Sequence, residues 1–237
     1  MGVFIGTSGW AYKEWKPDFY PQDVPQKRFL DHYATKLPAC EVNATFYRPQ
    51  SEDVLLRWID VTPDDFRFAV KVQRAVTFTK KSDRDIIRFD LLDMFLESVK
   101  ILRPQLGPVL LQFPAFKERD DQALESAVAE LPSDTQFAFE FRSDSWDSPE
   151  VAEIVSRVGT ICISNTDGTV PEALPPGPLS YVRLRSERYS PEARDGWKRL
   201  LETDGRVRDA YGFAKHEGNP PADPFGGVGL ATWLAGS

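Results

Sequence analysis

Eight short apolar segments recur along this chain, and each stops at polar residues that a buried strand rarely carries. The segments cover residues 3–6, 41–45, 67–72, 108–113, 136–141, 160–164, 180–185 and 210–215. Thr7-Ser8-Gly9-Trp10 follows the first; Glu41 and Asn43 lie in the second; Lys71, Gln112, and the pair Glu140 and Arg142 end the next three. Asn165 and Asp167 follow the sixth, Arg183 and Arg185 end the seventh, and Lys215-His216-Glu217 end the eighth. Helical patterns lie between them. Phe89, Leu92, Phe95, Val99 and Leu102 keep a three-to-four spacing, as do Leu124, Ala127, Val128 and Leu131. Ser51, Ser148 and Ser190 stand where helix caps belong, the last two followed by proline.

Strand alternating with helix implies a parallel sheet, because parallel neighbours need a crossover. Eight such units in 237 residues fit an α/β fold closed into one (β/α)8 barrel over residues 1–237. An open doubly wound sheet is the alternative, but Gly6-Thr7-Ser8-Gly9-Trp10 lacks the glycine spacing of a dinucleotide fingerprint.

In a barrel the polar strand ends converge on one mouth. Alternation sharpens the expectation. Phe137, Phe139 and Phe141 face outward to the helices, which turns Ala138, Glu140 and Arg142 inward. The same parity turns Lys71, Arg183 and Arg185 inward, and sets Glu41 with Asn43. Carboxylates and cations on an interior face are costly unless they are paired or wet.

The stretches GTSGWAYKEWKPDFYP, EVNATFYRPQ, FRFAVKVQ, GPVLLQFP, FAFEFRSDSW and YVRLRSERY together resemble the YecE-like family, a domain of unknown function. They occur in the family's order and span nearly the whole chain. The resemblance implies a TIM barrel and supplies no reaction. The last strand departs from the family: AYGFAKHEGNPP carries Lys215-His216 where the family's paired asparagines would fall.

Two functional readings follow. The first is a protein that binds, and turns over, a small anionic or phosphorylated ligand at the mouth. Lys71, Arg142, Arg183, Arg185 and Lys215 would hold its charge, and Asn43 would orient it. Glu140, Asp167 and Lys71 are the acid–base candidates; Glu41, Gln112 and Asn165 complete the lining. Trp10, Tyr12, Tyr47 and Trp146 stand in mouth-side loops where aromatic faces stack on rings. The chemistry would be that of a hydrolase, phosphoesterase or isomerase. The alternative is a non-catalytic protein for a nucleotide or single-stranded nucleic acid. A net charge of −7 disfavours extended duplex binding.

Composition removes other classes. No apolar run reaches the ~18 residues of a membrane helix, and the start MGVFIGTSGW is not a secretory leader, so a cytoplasmic protein is expected. Two histidines among nearby cations argue against a metal site, and no motif calls for a cofactor. Cys40 and Cys162 are expected to be buried free thiols.

Overall fold

The computed structural model describes residues 1–80 and 85–236. Its strands are β1 Val3–Ser8, β2 Ala39–Val42, β3 Arg67–Lys71, β4 Leu106–Phe113 and β5 Phe137–Phe141. They continue with β6 Gly159–Ile161, β7 Ile163–Asn165, β8 Leu179–Leu184 and β9 Asp209–Ala214. Every pairing is parallel, in the order β6-β5-β4-β3-β2-β1-β9-β8-β7.

The two edges of that sheet are halves of one stretch. β6 pairs with β5, β7 pairs with β8, and only Cys162 separates them. The Cys162 amide still donates to the Phe139 carbonyl at 2.8 Å, so the eighth side of the barrel is nearly closed. The expected sixth strand is therefore real but interrupted at Cys162, serving β5 with its first half and β8 with its second. Gly159 makes the first half fit: a Cβ there would lie 2.3 Å from the Phe137 carbonyl oxygen.

Crossovers run through α1 Phe29–Ala34, α2 Ala44–Tyr47, α3 Glu52–Asp60, α4 Arg74–Thr77 and α5 Phe89–Val99, then α6 Asp121–Glu130, α7 Pro149–Ser156, α8 Pro191–Asp204 and α9 Gly227–Ala235. Ser148 and Ser190 cap α7 and α8 by accepting from the Val151 and Ala193 amides. Ser51 precedes α3 without a side-chain cap, and Asp120 caps α6 instead. The apolar stripes of α5 and α6 are buried at Leu92, Phe95, Val99, Leu124, Ala127 and Val128.

β2 begins and ends earlier than its sequence pattern implies. Thr45 donates to the carbonyls of both Val42 and Lys71, which turns the chain into α2 and leaves Glu41 near the strand's end. The parity expectation holds in the packing. Phe137, Phe139, Val109, Leu111, Phe68 and Val70 join the core between sheet and helices. Ala39, Ala69, Leu110, Ala138, Cys162, Leu179, Tyr181, Tyr211 and Phe213 fill the barrel interior. Phe4 and Tyr211 stack at 4.9 Å near the strands' N-terminal ends. Apolar packing therefore plugs the barrel from below, and the polar side chains lie above it. Both cysteines are free and buried. Among the described residues, no helix is long and apolar enough to cross a membrane.

Candidate functional site at the barrel mouth

One layer above the apolar plug, strand ends bring four charged side chains into a ring of contacts that runs from Glu41 through Arg183, Glu140 and Gln112 to Lys71. Arg183 of β8 is its hub. Its Nη2 lies 2.9 Å from Glu41 Oε1 and its Nη1 lies 2.8 Å from Glu140 Oε2. Glu41 is fully buried and also accepts from Ser8 Oγ at 2.9 Å, Tyr181 OH at 2.8 Å and Asn43 Nδ2 at 3.1 Å. Burial alone would raise the Glu41 carboxyl. Arg183, the two hydroxyl donors and Lys71 outweigh it, so its pKa lies below the usual glutamate value.

Gln112 extends the other side. Its Nε2 donates to Glu140 and its Oε1 accepts from Lys71 Nζ at 3.0 Å. Lys71 Nζ also sits 4.0 Å above the Phe46 ring, a cation–π contact. Burial first, then repulsion from Arg183, lowers the Lys71 ammonium to about 8, although Glu140 and Glu41 pull the other way. Two carboxylates face one guanidinium and one ammonium, so the ring balances in charge.

Three further cations stand one step up the same strands. Arg142 is exposed, and Arg185 and Lys215 are half-buried. Their inward parity continues that of Glu140, Arg183 and Phe213. The strand ladder still holds their backbones: the Arg185 amide donates to Asn165 O at 2.7 Å and the Lys215 amide to Leu184 O at 3.0 Å. Arg142 is close enough to add to the repulsion on Lys71. Among the described residues, none of the three side chains makes a hydrogen bond or ion pair.

Tyr12, Glu14, Trp15, His216, Glu217 and Pro220 line a cavity of about 500 Å³ beside this mouth. A roomier cavity of about 710 Å³ opens between α5 and α6, against Arg88, Asp90, Asp120 and Glu130, and touches none of the ring residues. The chemistry concentrates at the mouth, not in the larger hollow. Among the described residues, no three His, Cys, Asp or Glu side chains are grouped to hold a metal ion.

Residues 4–223 match the family described as "Protein of unknown function DUF72". The chain belongs to the DUF72 family. The UPF0759 protein YunF of Bacillus subtilis (strain 168) is 28% identical over 159 residues, 64% of this chain and 54% of YunF. The UPF0759 protein YecE of Escherichia coli (strain K12) is 30% identical over 143 residues, 59% of this chain and 48% of YecE. The chain thus matches about half the length of these curated relatives. A DUF72 family crystal structure from Thermotoga maritima MSB8 aligns with a TM-score of 0.75 at 23% identity, covering 99% of this chain and 97% of that one. Another, from Enterococcus faecalis V583, aligns at 0.68 with 16% identity, covering 99% and 96%. At these identities the structural likeness establishes the fold.

In this DUF72 barrel the remaining sequence candidates scatter. Asp167 is exposed and ties a turn, accepting from the Thr169 amide and hydroxyl and from Asn165 Nδ2. Those donors, led by the Thr169 amide, lower its carboxyl pKa. Asn165 is buried, its Oδ1 held by Tyr189 OH at 2.8 Å. Trp146 is core: its indole N–H reaches Lys117 O at 2.7 Å and its ring stacks on Phe141. Trp10 packs edge-on against Trp58. Tyr12 lies between His216, stacked at 4.2 Å, and Trp15, tilted at 4.9 Å. Tyr47 alone of the four aromatic candidates is widely exposed, at 83%.

Of the two hydroxyl donors to Glu41, Tyr181 was absent from the sequence candidates, and Ser8 stood only in the polar run after the first segment. Parity was the signal for both: Ser8 shares the face of Phe4, and Tyr181 shares that of Arg183.

Proposed function

We propose that this DUF72 protein binds a small anionic or phosphorylated molecule at the C-terminal mouth of the barrel. One observation carries the reading. Arg142, Arg185 and Lys215 have no charged or hydrogen-bonding partner among the described residues, while the ring beneath them already pairs its two carboxylates with its own cations and Gln112. Cations gathered over a low-dielectric floor attract an anion more strongly than the same cations in water. Guanidinium forks also match the oxygen geometry of phosphate and carboxylate.

We further assign proton transfer at this mouth to Lys71, ahead of Glu140 and Asp167. Glu140 is engaged by Arg183 and Gln112, and Asp167 by its own turn. Lys71 has a neutral hydrogen-bond partner, Gln112, and a pKa of about 8, so it gains and loses a proton near neutrality.

Thermal unfolding with phosphate, sulfate and phosphate monoesters tests the site. Millimolar anion should raise Tm for the natural protein but not for an Arg142→Ala/Arg185→Ala variant. The gain should shrink as pH rises through 8, where Lys71 loses its charge. No rise with any anion would overturn the reading.

A further inference from the structure

The mouth carries a second feature, which meets the charged ring only at Lys71. Four aromatic side chains from three successive strand-to-helix connections run in edge-to-face contact beside it. Phe46 meets Tyr47 at 5.3 Å and Phe78 at 5.8 Å, and Phe78 meets Phe116 at 6.4 Å. Burial falls toward both ends of this ridge. Phe46 is 9% exposed at its foot, whereas Phe116 is 44% and Tyr47 83% exposed. Loop packing would hide such rings, as it hides Trp146.

Positive charge is interleaved with the ridge. Lys71 Nζ lies over Phe46 at 4.0 Å, and the Arg74 guanidinium lies over Phe78 at 4.7 Å. The foot of the ridge is thus the Lys71 corner of the charged ring, beside Arg142. An apolar protein partner would have to desolvate these cations without neutralising them. A planar ring carrying an anionic group satisfies both halves at once.

We infer that the ligand is a nucleoside monophosphate, its base stacked on the ridge and its phosphate on the rim cations. This rests on the anion site proposed above. A free nucleotide fits better than a long strand, because the chain has 36 acidic against 29 basic residues, an excess that repels successive phosphates. Stacking one base on such a platform strengthens binding about fivefold to a hundredfold.

Calorimetric titration of the full chain with ribose 5-phosphate, adenosine, AMP and a twelve-nucleotide single strand tests this. AMP should bind at least tenfold tighter than ribose 5-phosphate. Tyr47→Ala and Phe116→Ala change exposed side chains, and they should erase that preference while leaving ribose 5-phosphate affinity intact. Arg142→Ala/Arg185→Ala should weaken both phosphates. Equal affinity for AMP and ribose 5-phosphate would overturn the nucleotide inference and leave the anion site standing. Adenosine binding with no gain from its phosphate would overturn the anion site while upholding the ring contact. Strand binding without AMP binding would overturn the inference in favour of single-stranded nucleic acid.

Discussion

The ring and the rim of this mouth use the same residue types to opposite ends. In the ring, Arg183 spends its two terminal nitrogens on Glu41 and Glu140, and Glu41 collects three further donors. At the rim, one strand position higher, Arg142 and Arg185 have no such partners among the described residues. Depth separates the two cases. A buried guanidinium must be paired to exist there at all, whereas a rim guanidinium keeps water on one side and tolerates being unpaired. Charge at a barrel mouth therefore holds architecture together below and stands open to a ligand above, and mutation should split the two.

The largest effect is expected from Arg183→Met. It strands two carboxylates in the barrel, a loss of about 3–5 kcal/mol and a Tm drop of about 10 °C or more. Without the guanidinium, burial should push the Glu41 carboxyl above its unfolded value. The deficit should then be full at pH 7 and shrink as pH falls toward 4, which unfolding curves at both pH values will show. A drop of only a degree or two would erase the distinction between ring and rim. Tyr181→Phe comes next. It removes one hydrogen bond to a charged acceptor, worth about 1.5–3 kcal/mol, read as a lower urea midpoint at unchanged m. Glu41 has a depressed folded pKa, so its contribution is present above the ordinary glutamate range and fades as pH falls through the folded value. Losing the Tyr181 donor raises that folded value, and acid unfolding should begin at a higher pH.

How legible this was follows from periodicity. Glu41, Lys71, Gln112, Glu140 and Arg183 sit within or at the ends of strands, where alternation fixes direction, and they do converge. The interruption at Cys162 was not legible, because five residues of β-forming sequence look alike whether they serve one neighbour or two. Beyond the strands the period of two lapses. Asp167, Trp146 and Trp10 were candidates only by proximity to strand ends, and their turns aim them elsewhere. The Phe46–Phe78–Phe116 ridge spans three strand-to-helix connections, so no single stretch of sequence displays it. The eight-unit count and the barrel were legible because each strand needs a helix to reach its parallel neighbour.

Lys71 is the ring member that Arg142 of the rim repels, and Lys71→Met measures how firmly the ring holds it. Its folded pKa of about 8 lies below the unfolded value of 10.5, so the unfolded chain holds more protons between those values. The natural protein should therefore gain stability as pH rises across that window, and carry the whole penalty below it. Methionine removes the penalty but leaves the Gln112 carbonyl without its donor. The net expectation is a gain of about 1 kcal/mol at pH 7 that closes above pH 10. A loss of several kcal/mol would show Lys71 to be held as firmly as Arg183.

The smallest effect on stability is expected at Arg142 and Arg185, and that smallness is the point. With no hydrogen bond or ion pair to lose among the described residues, the double alanine variant should unfold within about 0.5 kcal/mol of the natural protein in anion-free buffer. The same variant should forfeit the stabilisation an anion confers, about 2.7 kcal/mol at a concentration one hundred times Kd. Folding energy and ligand linkage then separate on two residues directly above the ring. A variant that unfolds in anion-free buffer would show that the rim, too, belongs to the architecture, and the unpaired cations would need a structural explanation instead of a ligand.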